Sequence, residues 1–181
     1  MTRSLRGGNG FLARIALSEG MKKYCRFILL GVFGCVGLMA CQSNRIDSSL
    51  ADVESDSLLG LRISHIAFKQ LGVPYSFGGT SPNGFDCSGL VQFSYQRVGI
   101  SVPRTANLQY RRARIIHRAQ LRPGDLLFFS LDGGKHVTHV GIYFRNALFI
   151  HAPKRGRPVS IEHLDNDYWQ SRFVAAGRYQ I

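Results

Sequence analysis

At 181 residues the chain is long enough for one compact domain plus an extension but short for two ordinary domains, and 45% apolar residues can build a core. The composition excludes a collagen-like, repeat-built or low-complexity protein. The net charge of +12 comprises six basic and one acidic residue before position 41, and seventeen basic and ten acidic residues after it, an excess compatible with an anionic polymer, a membrane surface or nucleic acid.

Residues 1–40 read as an N-terminal extension and export signal. Met21 is the natural start: Lys22, Lys23 and Arg26 precede the apolar run from Phe27 to Ala40, which is too short for a membrane span of about 20 residues. Leu38-Met39-Ala40-Cys41 resembles the lipobox of bacterial lipoprotein precursors. The resemblance implies cleavage before Cys41, lipidation of that residue and, because Gln42 is not Asp, sorting to the periplasmic face of the outer membrane. Cys25 and Cys35 would leave with the signal and Cys41 would be acylated, so Cys87 remains as the single free thiol.

Residues 41–57 are expected to be the lipidated cysteine and a polar tether, and 58–181 the domain. Leu59, Ile63, Ile66, Ala67 and Leu71 recur at helical spacing until Gly72-Val73-Pro74. Glycine and proline make 75–86 a loop, and Ser88–Val98 fits a helix whose start is capped near Asp86. Thr105 to Ala113 predicts a short third helix. Strands are expected over Asp125–Phe129, Val137–Phe144, Ala147–His151, Val159–His163 and Phe173–Tyr179, with a hairpin connection at Arg145-Asn146. Helices first and antiparallel strands later make an α+β domain. The basic runs Arg111-Arg112, Arg114 and Lys154-Arg155, Arg157 read as solvated faces.

Cys87 falls where a helix begins, so unpaired amide groups and the helix dipole favour its thiolate and can hold an oxyanion. A base must lie nearby. A two-residue turn at Arg145-Asn146 sets His139 opposite Ala152; a three-residue loop from Phe144 to Asn146 sets it opposite His151. Both rings share a face only in the second register, or with a bulge. In that arrangement His139 is the base and His151 orients it. His136 is an alternative base, and His136, His139 and His151 could form a zinc set, a reading that leaves Cys87 unexplained.

The segments Pro74-Tyr75-Ser76-Phe77-Gly78-Gly79, Gly84-Phe85-Asp86-Cys87-Ser88-Gly89, Val102-Pro103-Arg104-Thr105 with Gln109, Pro123-Gly124-Asp125-Leu126, His139-Val140-Gly141-Ile142-Tyr143 and Phe149-Ile150-His151-Ala152 together resemble the NlpC-type cell-wall cysteine peptidase family. That resemblance implies a papain-like fold with N-terminal helices packed on a central antiparallel sheet. It implies a monomeric endopeptidase that cleaves peptidoglycan stem peptides or crosslinks at bonds involving D-amino acids or meso-diaminopimelate, with no metal or organic cofactor. By position it implies Cys87 as nucleophile, His139 as general base, His151 as third polar member and Tyr75 beside the oxyanion. Asp86 and Ser88 fall on family site positions that serve substrate contact or helix-start geometry, and Arg104 is a candidate substrate contact or a structural ion pair. Phe77 departs from the usual tryptophan and Val102 from a common leucine, each keeping apolar bulk. The competing readings are an envelope amidase or acyltransferase with the same thioester chemistry, and a noncatalytic wall-binding scaffold. Nucleic acid is not an expected partner, because export separates the chain from it and the basic runs carry no recognition motif.

Overall fold

The structure, a computed structural model, describes residues 43–134 and 136–179. The chain divides into Met1–Ser49 and Leu50–Ile181; the export signal, the lipobox and Cys41 lie outside the described residues. Helix α1 spans Ser43–Phe68. The stretch expected as a tether is therefore helical from Ser43, since no proline and no glycine before Gly60 interrupts it. Its C-terminal part buries Ile63, Ser64 and Ala67, while Leu58, Leu61 and Phe68 are exposed. Among the described residues no helix is long and apolar enough to cross a membrane.

After a small ribbon, β1 (Thr80–Ser81) with β2 (Gly84–Phe85), comes α2 (Cys87–Gln96), then α3 (Ala106–Arg112). Six antiparallel strands follow: β3 (Arg114–Ile116), β4 (Leu126–Phe129), β5 (His139–Arg145), β6 (Leu148–His151), β7 (Ser160–His163) and β8 (Phe173–Arg178), in the spatial order β3-β8-β4-β5-β6-β7. A short helix α4 (Asp167–Gln170) precedes β8. This is the expected α+β architecture. The sequence reading passed over β3, whose pattern of two exposed residues and one buried gives no alternating signal.

Strand β4 is buried throughout and divides its side chains between two cores. Leu126 and Phe128 join the core under α2, with Leu90, Val91, Tyr95, Val140, Ile142 and Ile150. Leu127 and Phe129 join the opposite core, with Phe149, Leu164 and Trp169. Asp125, at the foot of β4, is locked by Arg178 of β8 through bonds of 2.7 and 2.8 Å. Tyr95 of α2 donates to the adjacent Gly124 carbonyl at 2.8 Å, so the Pro-Gly-Asp turn joins helix and sheet.

The β5–β6 hairpin differs from both expected registers. Ile142 pairs with Ile150 and Tyr143 with Phe149, but Arg145 pairs with Leu148, so Phe144 is bulged out. The two-residue turn is Asn146-Ala147, with φ of 48° and 59°, as a turn matched to the right-handed twist of its strands requires. The connection is one residue later than Arg145-Asn146. The bulge restores the parity that a two-residue turn alone would lose, and His139 and His151 share a face as diagonal neighbours. Asn146→Val, although the position is exposed, is expected to cost about 1–2 kcal/mol because a β-branched residue resists positive φ. Asn146→Gly should be nearly neutral, and urea unfolding of the two variants checks the contrast.

Candidate active site

Cys87 is the first residue of α2, preceded by Asp86 as N-cap at φ −93° and ψ 174°. The Asp86 carboxylate accepts from Gly89 N at 2.7 Å, Gly78 N at 3.0 Å, Ser88 Oγ at 3.2 Å and both Nη atoms of Arg104 at 3.0 and 2.5 Å. Burial alone would raise this carboxyl, but the Arg104, Gly89 and Ser88 hydrogen bonds hold it below the usual range. Ser88 Oγ also accepts from Arg104 Nη1 at 3.0 Å, and Gln109 donates to the Ser88 and Pro103 carbonyls at 3.0 and 2.8 Å. The three residues expected to contact substrate thus form one network that fixes the start of α2. Asp86 and Ser88 are buried in it, and Arg104 keeps about a third of its side chain exposed. The helix start also fits closely against the preceding loop: a Cβ added at Gly89 would overlap the Gly79 carbonyl oxygen.

The Cys87 residue is half-buried, and burial pushes its thiol up despite amide groups of Val140, Ser88 and Cys87 itself that favour the anion. The helix start therefore does not by itself deliver the thiolate expected from position. The Val140 amide is next in the chain to His139, the first residue of β5. Val140 and Ile142 of β5 pack into the core under α2, whereas the rings of His139 and His151 pack with Phe129, Phe149 and Trp169.

His139 Nε2 and His151 Nδ1 are 2.8 Å apart and buried. His139 is 3% exposed and His151 1%. Trp169 stacks on His139 with ring centroids 5.7 Å apart and meets His151 edge-on at 4.9 Å. Phe129 and Phe149 complete an aromatic floor. Removal of water pushes His139 down to about 4 and His151 well below its ordinary value. His136 is exposed and outside β5. Among the described residues no group of three or more His, Cys, Asp or Glu could hold a metal ion. Tyr75 is half-buried and bridges Phe85; burial, then the charges of Cys87 and Asp86, push its phenol up and keep it a donor.

The model of the NlpC/P60 family matches residues 72–178. The chain belongs to the NlpC/P60 family. Murein DD-endopeptidase MepH of Escherichia coli (strain K12) is 47% identical over 114 residues, covering 61% of this chain and 42% of that protein. The gamma-DL-glutamyl hydrolase of Bacillus subtilis (strain 168) is 41% identical over 115 residues, covering 62% and 28%. The solved NlpC/p60 domain of the peptidoglycan hydrolase SagA superposes with a TM-score of 0.58 at 32% identity, covering 66% of this chain and 98% of that domain. The chain thus spans less than half the length of the curated relatives it matches.

The NlpC/P60 domain also has one site neighbour that the sequence reading missed. Trp169 is the chain's single tryptophan, placed by a short helix whose N-cap Asn166 accepts from Tyr168 N at 2.9 Å. Its signal was faint: a Tyr168-Trp169 pair after Asp165-Asn166-Asp167, with no periodicity to assign either ring a face.

Proposed function

We propose that the chain is a cysteine endopeptidase that hydrolyses peptide bonds in peptidoglycan stem peptides or crosslinks. The 2.8 Å His139–His151 bond carries this reading, because it commits Nε2 of His139 and leaves Nδ1 to serve Cys87. Burial holds the thiol and the imidazole in their neutral forms at rest, so the proton moves from Cys87 to His139 Nδ1 as sulfur attacks the carbonyl. The Cys87 amide and the Tyr75 hydroxyl receive the oxyanion. Collapse expels the amine, which takes the proton from His139 and leaves a thioester. Water, activated by the same imidazole, attacks the thioester; the acid leaves and the thiol recovers its proton. His151 holds the His139 ring throughout, and Trp169 covers both from solvent. Arg104, with its exposed edge, is the substrate contact; Asp86 and Ser88 act by holding it and the helix start.

Family membership and relatives named for murein and γ-D,L-glutamyl bonds support the peptidoglycan substrate. The lipobox supports an anchor through Cys41 at the periplasmic face of the outer membrane, and the catalytic domain acts as a monomer. Incubating the full chain with purified peptidoglycan and defined muropeptides is expected to release stem-peptide or crosslink products identifiable by mass. No product from any wall substrate would overturn the assignment. Incorporation of a labelled lipid precursor, lost in Cys41→Ala, tests the anchor separately.

A further inference from the structure

The proposed mechanism fixes the protons of the histidine pair. For His139 Nδ1 to accept the Cys87 proton, Nε2 must carry hydrogen and donate to His151 Nδ1. His151 is then protonated on Nε2 and is itself a donor. That nitrogen is buried and has no hydrogen-bond partner, and an unmade bond of this kind costs about 1–3 kcal/mol.

His151 lines a cavity of about 370 Å³ whose wall includes Trp169, Lys154, Arg157, Asn166 and Glu162. Lys154 and Arg157 come from one tight turn, closed by Arg157 N donating to Lys154 O at 3.0 Å, with Gly156 at φ 82°. Glu162, the lone acid in this wall, stands 4.0 Å from Arg157. Among the described residues Lys154 has no carboxylate at ion-pair distance. The Asn166 oxygen is occupied by Tyr168 N, so the amide nitrogen is its free polar end. The wall therefore offers hydrogen-bond donors and a positive excess around an unpaired imidazole N–H, against one apolar indole face.

We infer that this cavity is a carboxylate site, in which a carboxylate accepts from His151 Nε2 and pairs with Lys154 and Arg157. The inference rests on the hydrolase reading for the tautomer of His151, but not for the binding measurement. A bound carboxylate would complete a chain from carboxylate through His151 and His139 to Cys87, holding both rings in the working tautomer. Its source is either a free carboxylate of the peptide substrate or a free small carboxylate.

Trp169 lines the cavity and is the only tryptophan, so its fluorescence reports occupancy without turnover. Succinate titrated into the full chain, and into Cys87→Ala, is expected to change that emission saturably. Lys154→Ala and Arg157→Gln should each weaken the response about tenfold, as loss of one charge-assisted bond implies. A substrate source is supported if Arg157→Gln raises KM about tenfold for a stem peptide with free carboxylates and leaves its amidated form unchanged. Succinate binding with both peptides unaffected supports the free anion instead. No saturable response, an equal response to inorganic phosphate, or unweakened binding in both variants overturns the carboxylate site. Because Cys87→Ala cannot turn over, binding there with no hydrolysis by the wild type would sink the catalytic reading and leave this site standing.

Discussion

Replacing Cys87 with alanine is expected to abolish product release from muropeptides, and replacing His139 with alanine to lower kcat by a factor on the order of 10⁴. The two losses should not add. Sulfur is pushed toward its protonated form by burial, so without the imidazole it has no route to a competent nucleophile, and without sulfur the imidazole has nothing to activate. The double variant should therefore match Cys87→Ala. His151→Ala removes the 2.8 Å bond and frees the His139 ring, a misplacement expected to cost about 100-fold in kcat with KM little changed. His151→Asn, which retains an acceptor, should recover part of that loss. Equal activity in wild type and His139→Ala, with circular dichroism showing both folded, would remove His139 from the mechanism.

Much of this site is legible in the sequence, because it rests on strong local signals. Cys87 is framed by a Gly-rich loop and a capped helix; His139 begins an apolar run before one turn and His151 ends the run after it. Their shared face was conditional on register, and register was decided by backbone sterics the composition does not advertise. The turn moved to Asn146-Ala147 and the bulge at Phe144 compensated. For Asp86, Ser88 and Arg104 sequence left substrate contact and helix-start or ion-pair roles side by side, and only the five hydrogen bonds accepted by the carboxylate commit Asp86 to the helix start. Trp169 was invisible for a related reason: its contacts with His139 and His151 are long-range, made by a four-residue helix that carries no periodic pattern of its own. Local chemistry was readable; the packing that removes water from it was not.

That dehydration has a thermodynamic consequence. In the unfolded chain a histidine binds its proton near pH 6.5, whereas burial holds His139 neutral down to about 4. Between these values the unfolded state takes up more protons than the folded one, so stability is full above pH 6.5 and declines as pH falls. At about 1.4 kcal/mol for each pH unit, the window from 6.5 to about 4 is worth roughly 3 kcal/mol for His139 alone, and His151, held neutral by the same burial and bonded to it, adds in the same direction. Asp86 has the opposite chemistry but the same direction. Its carboxyl is held below the usual range by Arg104 and the helix amides, so its contribution disappears only under more acid conditions, below the ordinary carboxylate value of about 3.8. The two effects are separable by window. Urea unfolding of the full chain at pH 7, 5.5 and 4.5 should show stability falling across the first window, with the slope reduced in His139→Asn. A midpoint unchanged from pH 7 to 4.5 would mean that the histidine pair is not buried in its neutral form, and the resting state of the nucleophile would then be the ion pair instead of thiol and imidazole.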